Sequence, residues 1–398
     1  MKYFLMNKNY KTVELEGEIR FRKDIHFPRM IVTQAVILDE KRCPPGFLGT
    51  KNDLPQEIER WMDKRAISGK RSSLKRLPII KWSNGYPHFL SMSDQYWIRK
   101  EDDFIPWEKV NFYDNQYSCI IGQVSASFNR MELKSLLLPQ DSPDLCTNGL
   151  QDKMWKRIGK DNFLLKWTSE EDAQAILSEV LASEVLEKIN LLPTVHYDLT
   201  IENYRLCTRC KNFVGAEEEF VPAWHVYRAY QNLHPESCKN GAEDVYKVLM
   251  QASEYFEIPD VEKYVDNMII SDRVIANFDR HLGNFGFMRN IETGEYTHPA
   301  PLFDFGNAFF PRKEETKKER YFFSERAKSL LCDKRLESAI GKMKDITTSS
   351  YLSIPNFYEF KDTAVQNIFF NMKELQMAIA EEKKDRQKKK NMDVSMAV

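Results

Sequence analysis

The 398-residue chain has no excess of charge of either sign. Its 58 basic and 59 acidic residues leave a formal charge of −1, so no overall field draws it to nucleic acid or to an anionic membrane. It lacks a cysteine framework. Seven Cys, scattered and odd in number, fit reduced thiols in a cytosol better than disulfides. No run approaches the ~18 apolar residues that a membrane span needs. Met1 to Lys8 show neither a long apolar stretch nor a small-residue cleavage site, so the expectation is a soluble, cytoplasmic chain without a membrane partner. Internal repeats are absent. The seven His do not cluster, and no Ser-His-Asp arrangement can be drawn. Cys207 and Cys210 have the CxxC spacing of a zinc or redox site, but no second pair accompanies them. On a strand, two residues three apart point to opposite faces.

What is present is apolar bulk. Hydrophobic residues make up 42%, with 25 Phe and 17 Tyr, enough to build two or three domains without staples. Residues 1–145 read as an N-terminal α+β region. Strand patterns lie within Phe4 to Arg22 and over Met30 to Leu38, a turn falls at Cys43 to Gly46, and a helix over Leu54 to Ile67 carries Leu54, Ile58, Trp61 and Met62 on one side. The basic stretch Ser68 to Arg76 is expected to be exposed, and Trp97, Trp107, Phe112 and Tyr113 to pack this region's own core.

Residues 146–216 change pattern. Two strands, Leu150 to Ile158 and Asn162 to Trp167, flank a turn at Gly159 to Asp161. A helix over Glu170 to Asn190 follows and is closed by Pro193; strands at Val195 to Leu199 and Asn203 to Phe213 complete the set. Strand–strand–helix–strand–strand is the order of a kinase-type small lobe. Residues 217–398 read as mainly helical, with helices over Asp244 to Phe256 and Val261 to Asn277 and two short strands, Asn284 to Arg289 and Tyr296 to Phe303. A charged mobile loop is expected over Phe310 to Arg326, and a frayed or disordered charged end over Glu381 to Lys390. The lysine-rich patches read as solvated surface, so direct nucleic-acid binding is not expected.

One constellation carries chemistry. Phosphoryl transfer needs a metal clamp, a cation on the phosphates and a carboxylate that orients the acceptor hydroxyl. Asp279 is followed five residues later by Asn284, the spacing of a kinase catalytic loop. Asp304 ends an apolar strand, with Gly306 just beyond, and offers a hard oxygen ligand suited to Mg²⁺. Upstream, Lys166 sits inside the apolar run Phe163 to Trp167, where a lone buried charge needs a partner. Glu179 and Glu184 on the next helix are both candidates. Glu184 lies nearer the middle of the stripe of Leu177, Val180, Leu181 and Val185, so periodicity favours it. A phosphate loop is read at Thr147-Asn148-Gly149-Leu150-Gln151-Asp152-Lys153: Gly149 lets backbone amides approach an anion and Lys153 adds charge.

At these residues the sequence resembles the HipA-like serine/threonine kinases, in particular a bacterial, Firmicutes-type branch. Thr147 to Lys153 is similar to that family's phosphate loop, Lys166 to its strand lysine, and Ser178-Glu179 to the pair that opens its helix, so the resemblance favours Glu179. Asn277-x-Asp279-Arg280-His281-x-x-Asn284 is similar to the catalytic loop and Phe303-Asp304 to the metal-binding segment. Cys210 to Phe213 falls where the family's hinge meets adenine. The resemblance implies an α+β, two-lobed protein-kinase-like fold: a small β-rich lobe over 146–216, a helical lobe over 217–398 and the N-terminal α+β extension, partly packed on the small lobe. It implies ATP and Mg²⁺, with Asp279, Lys166 and Glu179 catalytic; Thr147, Asn148, Gly149, Gln151, Lys153, Lys166, Cys210 and Phe213 on the nucleotide; and Asn284 and Asp304 on the metal. It also implies a protein Ser/Thr acceptor. Some members are toxins with an antitoxin partner. Some silence themselves by phosphorylating a phosphate-loop serine, where this chain has Thr147, with Ser142 nearby. A catalytically idle nucleotide-binding module, or a lipid or small-molecule kinase, stays open as an alternative.

Overall fold

The computed structural model describes residues 1–21, 28–50, 53–68, 71, 79–82, 86–126, 135–138, 141–167, 173–237 and 242–309, with scattered helical positions between 363 and 388. The expected loop over Phe310 to Arg326 and most of the charged tail lie outside these residues. No helix among them is long and apolar enough to cross a membrane.

The N-terminal region holds β1 (Lys2–Asn7), β2 (Tyr10–Phe21), β3 (Pro28–Ile37), α1 (Leu54–Arg65), β4 (Ile79–Trp82), β5 (Tyr96–Lys100), α2 (Ile120–Ala126) and β6 (Ser135–Leu138). An antiparallel sheet runs β3-β2-β1-β5, while β4 and β6 form a separate parallel pair. Strand alternation explains why both faces of β1 are buried. Tyr3 and Leu5 pack against Leu54, Ile58, Trp61 and Met62 of α1. Phe4 and Met6 pack the other way, against Trp97, Trp107 and Phe112. Gly17 marks a register shift in β2, where a Cβ would lie 2.0 Å from the Ile31 carbonyl oxygen, so only glycine fits. α1 begins with Pro55 in its first turn and ends with Lys64 and Arg65, in keeping with N-terminal proline and C-terminal cations.

Next come β7 (Asp152–Ile158), β8 (Asp161–Trp167), α3 (Gln174–Ile189), β9 (Tyr197–Glu202) and β10 (Arg205–Lys211), whose antiparallel sheet runs β7-β8-β10-β9. Asn203 and Tyr204, with φ of 51° and 60°, form the tight turn between β9 and β10. α3 ends earlier than Pro193 requires, because Asn190 turns left-handed at φ 54°.

The last part contains β11 (Glu218–Pro222), α4 (Ala223–Leu233), α5 (Ala242–Tyr255), α6 (Val261–Val274), β12 (Gly286–Asn290) and β13 (Tyr296–Pro299). β11 and α4 were not foreseen. β11 is short and carries two glutamates, which hides its strand character. Its Glu219 stands directly opposite Arg289 on β12 and pairs with it, so the register, not the composition, makes the strand. α3 is buried on most sides, from Ile176 through Ser183 and again at Val185, Leu186 and Ile189. Its apolar side chains share one core with α5, α6, β12 and Phe305, so α3 joins the small sheet to the helical part. The fold is α+β and two-lobed.

Candidate active site

Sheet register builds the first part of the site. Lys153 on β7, Lys166 on β8 and Thr208 on β10 are direct cross-strand neighbours. Two lysines side by side repel one another, so this row requires anions. Lys166 Nζ lies 2.5 Å from Glu179 Oε1 and 3.1 Å from Asp304 Oδ1. Thr208 donates its hydroxyl to the other Glu179 oxygen at 2.9 Å. Glu184 makes no such pair with Lys166. A single-stripe argument fails on α3 because the helix is buried nearly all round, and 179 and 184 point in different directions.

Burial works against the Lys166 charge, but Asp304 and then Glu179 overturn it and hold its pKa well above that of a free lysine. Burial raises the Glu179 carboxyl, with Lys166 opposing. Asp304 is the reverse case: burial raises its carboxyl, but Lys166 and then Lys153 prevail and keep it ionised well below the usual carboxylate range. Lys153 is pushed down to about 8, chiefly by burial and then by its neighbour Lys166.

Thr147 to Gln151 forms the loop leading into β7. Gly149 has φ +98°, and a Cβ there would meet Lys153 Nζ at 2.6 Å, so glycine supplies both the turn and the room for the lysine. Lys153 Nζ donates to the Asn148 carbonyl at 2.7 Å. Of the basic stretch Ser68 to Arg76, expected to be exposed, only Ser68 and Arg71 are among the described residues; Arg71 departs from that expectation at 2% exposed, because its guanidinium is spent on this loop. Its Nη2 donates to the carbonyls of Thr147 (2.7 Å) and Gly149 (3.1 Å), and its Nη1 reaches the Thr147 hydroxyl at 3.5 Å. Thr147 itself donates to the Asp144 carbonyl at 2.7 Å, and both Thr147 and Ser142 are buried.

The second part of the site is held from behind. Arg280 grips Asp272 of α6 with two hydrogen bonds of 2.9 and 3.0 Å, and its Nη1 donates to the carbonyls of Asn284 (2.6 Å) and Phe303 (2.7 Å). One guanidinium thus fixes the end of the 279–284 loop and the residue before Asp304. Asn277 joins the same anchor, donating from Nδ2 to Asp272 at 3.0 Å. Asp279 faces solvent and accepts from Asn307 Nδ2 at 2.7 Å; Asn284 donates from Nδ2 to the Asp279 carbonyl at 3.3 Å. His281 Nδ1 accepts from the Gly283 amide at 3.0 Å, a local turn contact. Asp304 sits at φ +63°, a backbone state that costs a non-glycine residue free energy and is met mostly where a side chain must be aimed.

Of the residues assigned to catalysis, nucleotide or metal, all except Glu179 line one cleft of ≈ 1130 Å³; Glu184 and Ser142 do not line it. Lys153, Lys166, Asp304, Asn284 and Asp279 line it, and so do the apolar Leu164, Val195, Cys210, Phe213 and Phe303. Cys207 and Cys210 fall in different packing clusters on opposite faces of β10. Burial pushes the Cys210 thiol up to about 12, so it is a small neutral surface, not a thiolate. Arg71, Thr208, Asp272 and Asn307 carry the site without having been foreseen. Thr208 is identifiable only once its register against Lys166 is known.

No protein-family model matches the chain. Among curated proteins, the serine/threonine-protein kinase CtkA of Helicobacter pylori (strain J99 / ATCC 700824) is 28% identical over 141 residues, 35% of this chain and 42% of that relative. The match thus spans less than half of the relative's length. The crystal structure of the H. pylori proinflammatory kinase CtkA aligns at 19% identity over 58% of this chain and 91% of that one, with a TM-score of 0.43. HipA of Shewanella oneidensis MR-1, solved as a toxin–antitoxin complex with HipB and operator DNA, aligns at 10% identity over 96% of this chain and 99% of that one, with a TM-score of 0.52. The HipA alignment shows the fold along nearly the whole chain. Together with the CtkA sequence match, it supports the resemblance to the HipA-like kinases.

Proposed function

We propose that this chain is a HipA-like kinase that binds ATP with Mg²⁺ in the cleft and transfers the γ-phosphoryl group to a Ser or Thr hydroxyl of a protein. The observation that carries the reading is the Lys166–Glu179–Asp304 cluster set in one cleft with Asp279 and Asn284. Lys166, aligned by Glu179 and Thr208, holds phosphates. Thr147, Asn148, Gly149, Gln151 and Lys153 cradle them, and Cys210 and Phe213 border the base. The donor set fits Mg²⁺: Asp304 is kept ionised, its side chain is 34% exposed, and Asn284 in the same cleft can add an amide oxygen. When bound, the metal would offset charge on the phosphate oxygens. Asp279, exposed and anchored through Arg280, orients the acceptor hydroxyl and takes its proton. We divide the chain at 145/146 and 216/217, with the small lobe between.

Incubation with labelled ATP, Mg²⁺ and a cell lysate, beside an Asp279→Asn protein, tests the reading. Asp279→Asn should lower transfer by about 10²–10⁴-fold and leave nucleotide affinity nearly unchanged. Equal transfer by both proteins sinks the role of Asp279. No transfer by the native chain, with nucleotide still bound, leaves the idle-module reading in its place.

On the HipA resemblance we also propose a cytoplasmic protein with an antitoxin-like partner, tested by co-purification from its own cells. The free thiols of Cys43, Cys119, Cys146, Cys207 and Cys210 are consistent with a reducing compartment. Self-inhibition would act through Thr147 or Ser142. Because both hydroxyls are buried, modification requires the loop to leave Arg71 first. Mass spectrometry after ATP incubation should find phosphate there; an active preparation unmodified at both positions rules it out.

A further inference from the structure

We propose, resting on the kinase reading above, that the acceptor end of the cleft selects an acidic peptide and that Lys64 is the cation that binds it. The cleft that Asp279 lines is also lined by Lys64 and Arg65 of the last turn of α1 and by Trp224 and His225 of the first turn of α4. This wall is tied to the catalytic loop: the Trp224 amide donates to the Leu282 carbonyl at 2.9 Å, three residues after Asp279. Lys64 Nζ lies 3.0 Å from the centroid of the Trp224 ring, a cation held over an aromatic face.

The other charges of this wall are already committed. Arg65 pairs with Asp94 at 2.8 Å and stacks 4.0 Å from the Trp61 ring. Buried Glu57 is shared by Arg60 and by Arg228 at 3.3 Å. Glu59 and Asp63, also on α1, are held by Arg29 at 3.3 and 2.9 Å. Glu219, which lines the cleft, belongs to Arg289. Among the described residues, Lys64 has no carboxylate within ion-pair distance. Five cations of α1 and its neighbours, Lys64, Arg65, Arg60, Arg228 and Arg29, thus face four carboxylates, Glu57, Asp94, Glu59 and Asp63, and Lys64 is the one left over. Burial lowers the Lys64 pKa; Glu57 opposes this, while Arg228 and Arg60 add to it, so its charge lacks full compensation. His225, pushed down to about 3 by burial and then by Lys64 and Arg65, is neutral and does not add a further charge.

An incoming carboxylate supplies what this wall lacks, through a charge-assisted hydrogen bond to Lys64. A peptide suits the space better than a small molecule. At ≈ 1130 Å³ the cleft exceeds the roughly 300–1,000 Å³ of ordinary small-ligand sites, even before a nucleotide takes one end. Trp and Arg side chains, as in Trp61, Trp224 and Arg65, are those enriched where proteins recognise proteins.

The test uses the full chain and two fluorescein-labelled peptides, a serine flanked by Glu and the same serine flanked by Lys. Binding is read by anisotropy, and phosphorylation by labelled ATP. The native chain should bind the Glu peptide at least about tenfold tighter, with the preference weakening as salt rises. Lys64→Glu should reverse the preference, and Lys64→Arg should keep it. Reversal cannot arise from a merely structural loss. Equal binding of both peptides by the native chain, or an unchanged preference in Lys64→Glu, overturns the proposal. Because binding is measured without turnover, a chain that binds the Glu peptide but phosphorylates nothing refutes the kinase reading and leaves the anion site standing.

Discussion

Among the described residues, two of the buried ion clusters lie on either side of the catalytic loop and are built on opposite plans. Behind the catalytic loop, Arg280 and Asp272 are 4% and 1% exposed, and both carboxylate oxygens of Asp272 are bonded to the guanidinium. The remaining nitrogen of Arg280 is taken by two carbonyls. That cluster is closed. In front, Lys166 is equally buried, but its partner Asp304 opens to the cleft, and Lys153 stands beside it with a weakened hold on its proton. That cluster is open at one side to both an anion and a cation. The difference separates holding from handling: a closed pair fixes backbone, and an open one leaves charge for a ligand to complete.

Breaking the closed cluster should have the largest effect. Arg280→Ala leaves Asp272 buried without its partner and should cost about 3–5 kcal/mol of stability, read by chemical denaturation. A loss below about 1 kcal/mol would remove the contrast. Next comes Lys166→Met, which should cut transfer by at least about 10²-fold. It should also change the acid side of the stability curve. Asp304 has a depressed pKa, so its contribution is present above the usual carboxylate pKa and is lost as pH falls through the depressed value. Lys166→Met should weaken that dependence in urea unfolding at low pH, leaving the part that Lys153 sustains, whereas Arg280→Lys should preserve it.

A smaller effect tests the openness of the front cluster. Anions bind the protonated form of Lys153, whose pKa is about 8. ADP affinity should therefore be flat below pH 8 and fall about tenfold per pH unit just above it. Lys153→Met should flatten the profile. The smallest effect is expected at Arg71. Arg71→Gln removes most of the hydrogen bonds that hold Thr147 and Gly149, and should raise the KM for ATP several-fold with a lesser change in kcat. A purely structural role would instead lower stability and leave KM alone.

Much of the open cluster was legible beforehand. Lys166 stood out because a charge inside Phe163 to Trp167 needs a reason, and Asp304 because it follows the apolar run Pro301 to Phe303, although the strand expected to reach Phe303 ends at Pro299 and only Leu302 bridges to Thr194 beyond it. The spacing of Asp279 and Asn284 is covalent and survives any packing. What holds these residues was not legible. Nothing in the run Ser68 to Arg76 separates Arg71 from its basic neighbours; it is buried because the Thr147 and Gly149 carbonyls need a donor. The apolar stripe on α3 pointed to Glu184, but that argument assumes one buried face, and α3 has several.

By itself, then, the sequence determined the candidates for the chemistry, the strand–strand–helix–strand–strand order of β7 to β10 with α3, and the α+β class, since these rest on side-chain type and local spacing. Only the tertiary structure decided partners. Glu179 meets Lys166 across 13 residues, Asp304 across 138, and Arg71 meets Thr147 across 76. Such contacts depend on sheet register and on which helix faces are covered, and both are set by the packing of the whole chain rather than by any window of it.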